Sequence, residues 1–256
     1  MRIVIKIGSS TLTHKSGKLN IRRVEQLCKI ISDIKNEGHE IIMVSSGAIA
    51  MGVGKMNLSK KPDDVESKQA LAAVGQCELM YVYDKLFSEY NHCVAQILVT
   101  GADLEDEVRR TNFQHTLYKL LEMNALPIIN ENDTIATSEI AVGDNDTLGA
   151  IVATNIQADL LILLSDIDGL YTADPHKDPN ARLIHEVRVL DEEILSLAGG
   201  AGSELGTGGM QTKLNAAKLC MEHNCDMIIA NGEKPENLYK IIEKEVVGTY
   251  FHAKKY

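Results

Sequence analysis

Aromatic residues are scarce in this sequence: it has no tryptophan, and Phe, Tyr and Trp together make up 4% of its 256 residues. A core must therefore be built from Ile, Leu, Val, Ala and Met. Hydrophobic residues still reach 45% and charged residues 24%, a balance that excludes a disordered chain and suffices for a full-sized core. No apolar run approaches about 18 residues, so we expect no membrane-spanning helix and no membrane partner.

Cysteine and positive charge are also scarce. None of the five cysteines stands in a CxxC pair, and we interpret them as buried thiols of a cytoplasmic protein, namely Cys28, Cys77, Cys93, Cys220 and Cys225. The 26 Lys and Arg residues against 36 Asp and Glu residues give a formal net charge of −10, which argues against a nucleic-acid partner. The sequence contains neither HExxH nor GxSxG, so zinc-dependent hydrolysis and Ser-His catalysis are poorly supported.

Short apolar segments alternate with segments of helical spacing along the chain. We predict strands over residues 2–7, 40–45, 93–99, 126–129, 159–164 and 226–230, with a last strand at 248–252 and an extended arm at 135–142. Helices are predicted over residues 24–35, 69–90, 108–123, 146–157, 210–222 and 236–242. Short apolar strands separated by helices are typical of parallel sheets. We therefore predict an α/β fold, an αβα sandwich whose mostly parallel central sheet carries helices on both faces, in a single domain over residues 1–256.

Two polar, glycine-containing segments follow predicted strands at the edge where parallel sheets bind ligands. In KIGSS, Gly8 would let backbone N–H groups approach an anion while Lys6 adds a positive charge. The alternative is an ordinary strand-edge lysine with a turn glycine. In SSGAIAMG, the start of a helix would leave N–H groups free for a carboxylate or phosphate, unless Ser46 only caps that helix.

Two segments rich in carboxylates and amides follow at the same predicted edge. INEND places Asn130 and Asp133 beyond an apolar strand, where they would suit an ammonium-bearing or hydroxyl-bearing ligand or merely form a polar loop. GDND precedes a predicted helix and ends in Asn145 and Asp146. One aspartate would be a sufficient cap, so two carboxylates with an asparagine between them favour a functional role.

The last two segments are suited to a nucleotide. SDIDGLYTADP begins at Ser165, and its Asp166 and Asp168 would hold Mg²⁺ through water, hydrogen-bond a ribose or form Asx turns. GTGGMQTK, residues 206–213, fits neither a Walker A loop nor GxGxxG. It nevertheless starts an amphipathic helix, so that free N–H groups, the helix dipole and Lys213 converge on one spot. This is the most specific local signal for an anion in the sequence.

The charged residues of these segments favour phosphoryl transfer. A chain of net charge −10 has to build local positive charge from Lys6, Lys213 and backbone amides, and phosphoryl transfer depends on such positioning and charge stabilisation. A carboxylate acceptor with a pKa of about 4.3 is ionised at neutral pH and needs no general base. Asp146 would then hold the lysines in place instead of removing a proton.

Seven segments resemble the amino-acid kinase family in this order over essentially the whole chain: KIGSS, SSGAIA, SKQALAAVGQ, INENDTIAT, VGDND, DIDGLYTADP and GTGGMQTKL. SKQALAAVGQ and GDND resemble the branch that transfers the ATP γ-phosphoryl group to the side-chain carboxylate of L-glutamate. That reaction yields L-glutamyl 5-phosphate and ADP and starts proline biosynthesis. The resemblance thus implies an enzyme, a phosphotransferase with a carboxyl acceptor, that uses ATP with Mg²⁺.

The resemblance also implies roles for individual residues. The transition-state lysines would be Lys6 and Lys213, organised by Asp146. The residues expected to bind L-glutamate are Ser46, Gly47, Ala48, Asn130, Asp133 and Asn145. The residues expected to bind the nucleotide are Lys6, Ser165, Asp166, Thr207, Gly208, Gly209, Met210, Gln211, Thr212 and Lys213. No residue is assigned as a metal ligand.

Regulation and assembly are implied by the resemblance alone: feedback inhibition by proline and a homo-oligomer. Many bacterial members carry a C-terminal PUA domain, and because this sequence ends at Tyr256 we expect no such domain. Two alternatives stay open, a family member with a different carboxylate substrate and a non-catalytic nucleotide or proline sensor on the same scaffold. The presence of Lys6, Lys213 and Asp146 counts against the sensor.

Overall fold

A mostly parallel sheet forms the centre of the computed structural model, which describes residues 1–14, 16–136, 145–175, 177–197 and 209–253. The strands are β1 (Arg2–Ile7), β2 (Glu40–Ser45), β3 (Val94–Val99), β4 (Leu126–Glu131), β5 (Leu160–Ser165), β6 (Leu170–Tyr171), β7 (Leu183–Ile184), β8 (Glu186–Val187), β9 (Asp226–Asn231) and β10 (Thr249–Phe251). Within the described ranges eight of them pair in the order β3–β4–β2–β1–β5–β9–β10–β8, and β6 and β7 form a separate antiparallel hairpin.

The pairing confirms the predicted sheet. β1 lies at its centre and pairs in parallel with β2 and β5, and β4 and β9 extend the parallel arrangement on either side. β10 runs antiparallel to β9, which makes the sheet mixed at one end. The carboxyl ends of β1, β2, β4 and β5 therefore lie at one edge of the sheet.

The helices cover both faces of this sheet. They are α1 (Ser9–Leu12), α2 (Ile21–Asn36), α3 (Ala48–Lys55), α4 (Val65–Ser88), α5 (Gly101–Glu105), α6 (Glu107–Glu122), α7 (Asn145–Asn155), α8 (Glu192–Ser196), α9 (Met210–Glu222) and α10 (Asn237–Ile242). The six helices predicted from periodicity are present, with ends shifted by a few residues. α3 was expected only as a helix start after β2, and α1, α5 and α8 were not predicted, because helices of four or five residues are too short to show a period. Among the described residues no helix has both the length and the apolar character to cross a membrane.

Alternation along β1 sends its side chains into two separate cores. Ile3, Ile5 and Ile7 pack with residues of α2, α4 and α10 on one face of the sheet. Val4 packs on the opposite face with residues of α6, α7 and α9. Lys6 has the same parity as Val4, so its side chain projects toward α7 and α9.

Helices α3 and α4 cross in backbone contact because glycine removes the side chains at the crossing. A Cβ atom on Gly75 would lie 1.7 Å from the carbonyl oxygen of Ala48, and one on Gly52 would lie 2.1 Å from that of Leu71. Neither glycine admits a larger residue unless the helices move apart. Gly47, which precedes α3, has φ 97°, in the left-handed region that glycine adopts readily. The crossing therefore fixes the segment that follows β2.

The cysteine prediction is partly wrong. Cys28, Cys220 and Cys225 are buried, but Cys77 and Cys93 are exposed. Cys77 stands on the solvent side of α4, and Cys93 immediately precedes β3, the strand at the end of the sheet. All five are free thiols.

The end of β4 also differs from the prediction. The strand continues to Glu131, and Asn130 is therefore a buried strand residue instead of part of a loop. Of the predicted extended arm, Ile135 belongs to the turn that follows β4, and residues 137–142 lie outside the described residues.

Candidate functional site

The carboxylate of Asp146 contacts two lysines that are far apart in the sequence. Lys6 Nζ lies 2.6 Å from Oδ1, and Lys213 Nζ lies 2.9 Å from Oδ2. The side chain of Asp146 is 1% exposed, and those of Lys6 and Lys213 are 11% and 6% exposed. We name these three residues the charged triad. Two ammonium groups and one carboxylate leave it with a net positive charge.

Secondary structure explains why the triad meets. Lys6 projects from β1 onto the face covered by α7, where its stem packs against Gly149: a Cβ atom on Gly149 would be in van der Waals contact with Lys6 Cβ, at 3.4 Å. Asp146 lies in the first turn of α7, and Lys213 lies near the start of α9. α7 and α9 share one hydrophobic core, which brings their N-terminal turns together.

Electrostatics keep the Asp146 carboxylate ionised. Burial by itself would raise its pKa, but the charges and hydrogen bonds of Lys6 and Lys213 outweigh burial and lower the pKa to about 2. Thr212 Oγ1 lies 3.1 Å from Asp146 Oδ2 and 2.8 Å from the carbonyl oxygen of Gly209, so these two acceptors compete for its one hydroxyl proton. A carboxylate with this pKa is a poor proton acceptor at neutral pH, whereas it is well suited to holding two cations.

Two longer helices at the edge of the sheet that carries the triad begin at a glycine without a side-chain cap. α3 starts after Gly47 and α9 after Gly209, and neither start has a capping side-chain hydrogen bond. The short helices α1 and α10 also lack a side-chain cap, whereas α2, α4, α5, α6 and α8 are capped by Asn20, Asp64, Thr100, Asp106 and Asp191. Glycine caps leave the first N–H groups, which carry partial positive charge, without a side-chain acceptor. Both helix starts can therefore bind an anion.

One alternative for the anion-binding segments is excluded. Ser46 does not cap α3, because Gly47 is its N-cap. In the other segment, the N–H group of Gly8 itself donates to the carbonyl oxygen of Leu164 at 3.2 Å, and the expected approach of an anion to this turn stays a prediction.

A chain of amides lies next to the triad on the side of β2 and β4. Asn145 Nδ2 lies 2.9 Å from the carbonyl oxygen of Ser45, 3.0 Å from Ser46 Oγ and 3.0 Å from Asn130 Oδ1, so its two N–H donors serve three acceptors. Asn130 Nδ2 donates to Gln76 Oε1 at 2.9 Å. We name Asn145, Asn130 and Gln76 the amide relay. Unlike the triad, it carries no charge.

The other residues expected to bind L-glutamate lie at the same edge of the sheet. Gly47 and Ala48 form the start of α3, and Asp133 lies half-buried in the turn after β4. The structure thus places all six of these residues at the carboxyl ends of β2 and β4 or at the start of α7. Their role as substrate ligands stays a prediction.

The residues expected to bind the nucleotide lie at two places. Ser165 ends β5, its Oγ lies 3.2 Å from Asp166 Oδ1, and Asp166 is exposed. Gly209, Met210, Gln211 and Thr212 form the cap and first turn of α9. Thr207 and Gly208 lie outside the described residues, and so does Asp144, the first aspartate of GDND.

Sequence reasoning missed Gln76 as a residue of the site. It belongs to SKQALAAVGQ, and it lies on α4 between the buried positions Ala72, Leu79 and Tyr83. A polar residue at helical spacing within an apolar stripe is a signal that it serves something other than packing. That signal is present in the sequence, but it does not identify the residue or ligand that Gln76 contacts.

A resident metal ion does not fit the described residues. In the ranges that the structure covers, no group of three or more His, Cys, Asp or Glu side chains could hold a metal ion. Both oxygens of Asp146 contact ammonium groups, and those of Asp168 accept from Asn231 and Tyr171. These residues form no preformed Mg²⁺ cage.

Comparison with known sequences gives matches over the whole chain. The model of the amino acid kinase family matches residues 1–231. "Glutamate 5-kinase" of Clostridium perfringens is 52% identical over 99% of this chain and 96% of its own length. The protein of the same name from Listeria monocytogenes is 48% identical over 99% and 94%. That of Carboxydothermus hydrogenoformans is 52% identical over 99% of this chain and 68% of its own length.

Comparison with solved structures gives the same fold. Isopentenyl phosphate kinase of T. acidophilum superposes with a TM-score of 0.65, 17% identity and coverage of 98% of this chain and 99% of that one. UMP kinase from Ureaplasma parvum superposes with a TM-score of 0.64 and 18% identity, covering 96% and 97%. At this identity the likeness establishes the fold alone.

Proposed function

The chain belongs to the amino acid kinase family, and we propose that it transfers the γ-phosphoryl group of ATP to the side-chain carboxylate of L-glutamate. The products are L-glutamyl 5-phosphate and ADP, and the reaction is the first step of proline biosynthesis. The relatives that match along the whole chain at about half identity are named for this activity. The motifs that distinguish them, SKQALAAVGQ and GDND, are present here.

One observation carries the proposal for the site: a buried carboxylate holds two lysines at the carboxyl edge of a parallel sheet, beside uncapped helix starts. Phosphoryl transfer needs little covalent chemistry from the protein and depends on positive charge around the transferring group. The two lysines of the triad supply that charge, and the Asp146 carboxylate offsets the repulsion between their ammonium groups.

The reaction follows from this arrangement. An oxygen of the substrate carboxylate attacks the γ-phosphorus, the bond from that phosphorus to the β–γ bridging oxygen breaks, and ADP leaves with the bond's electron pair. The obstacle is repulsion between the anionic acceptor and the phosphate oxygens. We propose that Lys6 and Lys213 reduce this repulsion and stabilise the transition state by donating hydrogen bonds to the γ-phosphoryl group. No residue removes a proton, because the acceptor is already ionised.

Magnesium enters this proposal with the nucleotide. Mg²⁺ is usually bound through substrate phosphates with few protein carboxylates, and the described residues offer no cage for it. We therefore write the co-substrate as MgATP, held by the start of α9 and by the segment Ser165–Asp166. No step of the reaction is assigned to the ion.

Proline inhibition, a homo-oligomeric state, a cytoplasmic location and a single domain over residues 1–256 are further proposals, supported by the family resemblance. Proline shares the α-ammonium and α-carboxylate groups of L-glutamate, so it would compete at the same edge of the sheet. Initial rates are measured at increasing proline concentrations, each at several fixed concentrations of L-glutamate. Inhibition by proline that disappears at saturating L-glutamate would support competition.

The test of the function is a hydroxamate assay. The protein is mixed with MgATP, L-glutamate and hydroxylamine, which traps an acyl phosphate directly, and ADP is measured in parallel. We expect both products with L-glutamate. Folded protein that stays silent with L-glutamate but acts on N-acetylglutamate, aspartate or UMP would overturn the substrate assignment within the family.

A variant separates catalysis from mere nucleotide binding. In Lys213→Ala we expect kcat to fall by about 10²- to 10³-fold, by analogy with removal of one charge-stabilising donor, while the affinity for ATP changes far less. Lys218→Ala, on the exposed side of the same helix, is the matched control and should keep full activity. Equal losses in both variants would contradict a role for the Lys213 ammonium.

A further inference from the structure

The amide relay has a fixed direction because backbone groups orient two of its members. The carbonyl oxygen of Ser45 can only accept, so the atom of Asn145 at 2.9 Å from it must be the NH₂ group. The N–H group of Glu131 can only donate, so the atom of Asn130 at 2.9 Å from it must be the amide oxygen. These two contacts settle which way each asparagine points.

The direction then passes to Gln76. Because the oxygen of Asn130 faces the Glu131 N–H group and Asn145, its NH₂ group faces Gln76. That NH₂ group requires an acceptor, so the oxygen of Gln76 points into the relay and its own NH₂ group points away. The orientation of the Gln76 amide therefore follows from the backbone N–H group of Glu131, through the side chain of Asn130.

The NH₂ group of Gln76 lacks an acceptor within the part of the chain that the structure describes. The residue is 8% exposed, and its oxygen is already used by Asn130. The nitrogen is not one of the fully buried polar atoms that lack a partner, so it reaches solvent at the edge of the site, where a ligand can replace water as its acceptor. The preceding residue, Gly75, touches Ala48, the first residue of α3. The uncapped start of α3 thus lies beside Gln76.

We propose that Gln76 is a substrate-binding residue whose NH₂ group donates to the α-carboxylate of L-glutamate. This inference rests on the proposed function. The side-chain carboxylate has to lie at the charged triad, and Asn145 adjoins Asp146 in sequence, so Asn145 marks the phosphoryl end of the relay. Gln76 marks the opposite end, where the α-carbon groups of the substrate lie. An N–H donor there selects the α-carboxylate over the α-ammonium group.

Three ligands test the assignment. 4-Aminobutyrate lacks the α-carboxylate but keeps the amine, and glutarate lacks the amine but keeps both carboxylates. For wild type, Gln76→Glu and Gln76→Met, kcat/KM is measured for L-glutamate and for each analogue, with an inhibition constant where turnover is too slow to follow. Gln96→Glu, an exposed change of the same charge on β3, is the control.

We expect the Gln76 variants to lose about 10- to 100-fold in apparent affinity for L-glutamate with little change in KM for ATP. The preference for L-glutamate over 4-aminobutyrate should shrink by a similar factor, and the preference for L-glutamate over glutarate should stay the same. A general structural defect would not produce this difference between the two analogues. Gln76→Met keeps the volume of the side chain and does not add the negative charge that Gln76→Glu adds. It therefore serves as the second variant if Gln76→Glu does not fold.

An unchanged preference for L-glutamate over 4-aminobutyrate in both folded variants overturns the assignment, and so does a change confined to the glutarate comparison. In either case wild-type activity on L-glutamate would leave the proposed function intact. Wild-type silence on L-glutamate in the hydroxamate assay would instead remove the function on which the inference rests.

Discussion

The charged triad and the amide relay lie side by side, yet they differ in charge. The triad concentrates two buried ammonium groups on one carboxylate, whereas the relay joins three neutral amides. In the proposed reaction the triad contacts a phosphoryl group, whose negative charge must be stabilised. The relay contacts the zwitterionic α-carbon groups of L-glutamate, which have to be oriented more than neutralised. Asn145 and Asp146, one from each group, are consecutive in the first turn of α7, so this single turn joins the two ends.

The two groups are also held in place differently. The triad depends on mutual attraction, since each lysine contacts its own oxygen of Asp146. The relay depends on backbone anchors at β2 and β4 and on the α3–α4 crossing. Changes to the triad should therefore act on the chemical step, and changes to the relay's support should act on substrate binding and stability.

The largest effect is expected for Asp146→Asn. The change leaves two buried ammonium groups without their carboxylate, so they repel each other and lose their positions. We expect kcat to fall by at least about 10³-fold, and the free energy of unfolding to fall by about 3 kcal/mol, as for other broken buried ion pairs. Steady-state kinetics and urea unfolding measure the two effects.

Asp84→Asn is the matched control for that variant, because Asp84 is exposed on α4. It should leave both quantities unchanged. If Asp146→Asn kept wild-type kcat, Asp146 would not organise the lysines, and the contrast between the two ends of the site would lose its basis.

A smaller effect, of a different kind, is expected for Gly75→Ala. The added Cβ atom would lie 1.7 Å from the Ala48 carbonyl oxygen, so α3 and α4 must separate, at a cost of about 1–3 kcal/mol. Displacement of α4 also moves Gln76, and KM for L-glutamate should rise more than kcat falls. Ala73→Ser, on the exposed side of α4, is the control. A lowered kcat with unchanged KM would contradict the division of roles between relay and triad.

The smallest effect is a pH dependence of stability that distinguishes the triad from His92, which lies just before β3 at the amino end of that strand. Burial lowers the pKa of His92 below its ordinary value of 6.5, although its contact with the Ser32 carbonyl oxygen opposes this. The unfolded chain then binds a proton below pH 6.5 that the folded chain refuses, so stability present above pH 6.5 declines as the pH falls. For Asp146, with a folded pKa of about 2 against 3.8, the corresponding loss occurs only below about pH 4.

We therefore expect stability to fall as the pH drops below 6.5, while the triad stays intact down to about pH 4. Urea unfolding across this range should show a shallower decline in His92→Gln than in wild type. His115→Gln, at an exposed position of α6, should follow wild type. Identical pH profiles for the three proteins would show that His92 titrates normally in the folded state.

Sequence patterns predicted the layers of the fold and the edge of the sheet at which the candidate site residues lie. Apolar alternation and helical spacing were strong enough to place the long helices and the main strands, and the order of polar segments at strand ends placed the ligand edge. The ends of elements were less certain, as β4 shows: Asn130 is polar and therefore suggested a loop, yet it pairs within the sheet. Its partner in the relay, on α4, supplies the hydrogen bond that a buried amide needs.

What the sequence by itself determined is which chemical groups are available: two lysines, an aspartate that follows an asparagine at the start of a helix, and glycines before helix starts. Those facts are local, since periodicity and capping act over a few residues. Only the tertiary structure decided that Lys6 and Lys213 share one carboxylate, that α3 and α4 touch through glycine, and that Gln76 joins Asn130. Each of these contacts joins residues from separate elements, and their distances depend on how whole helices pack on the sheet.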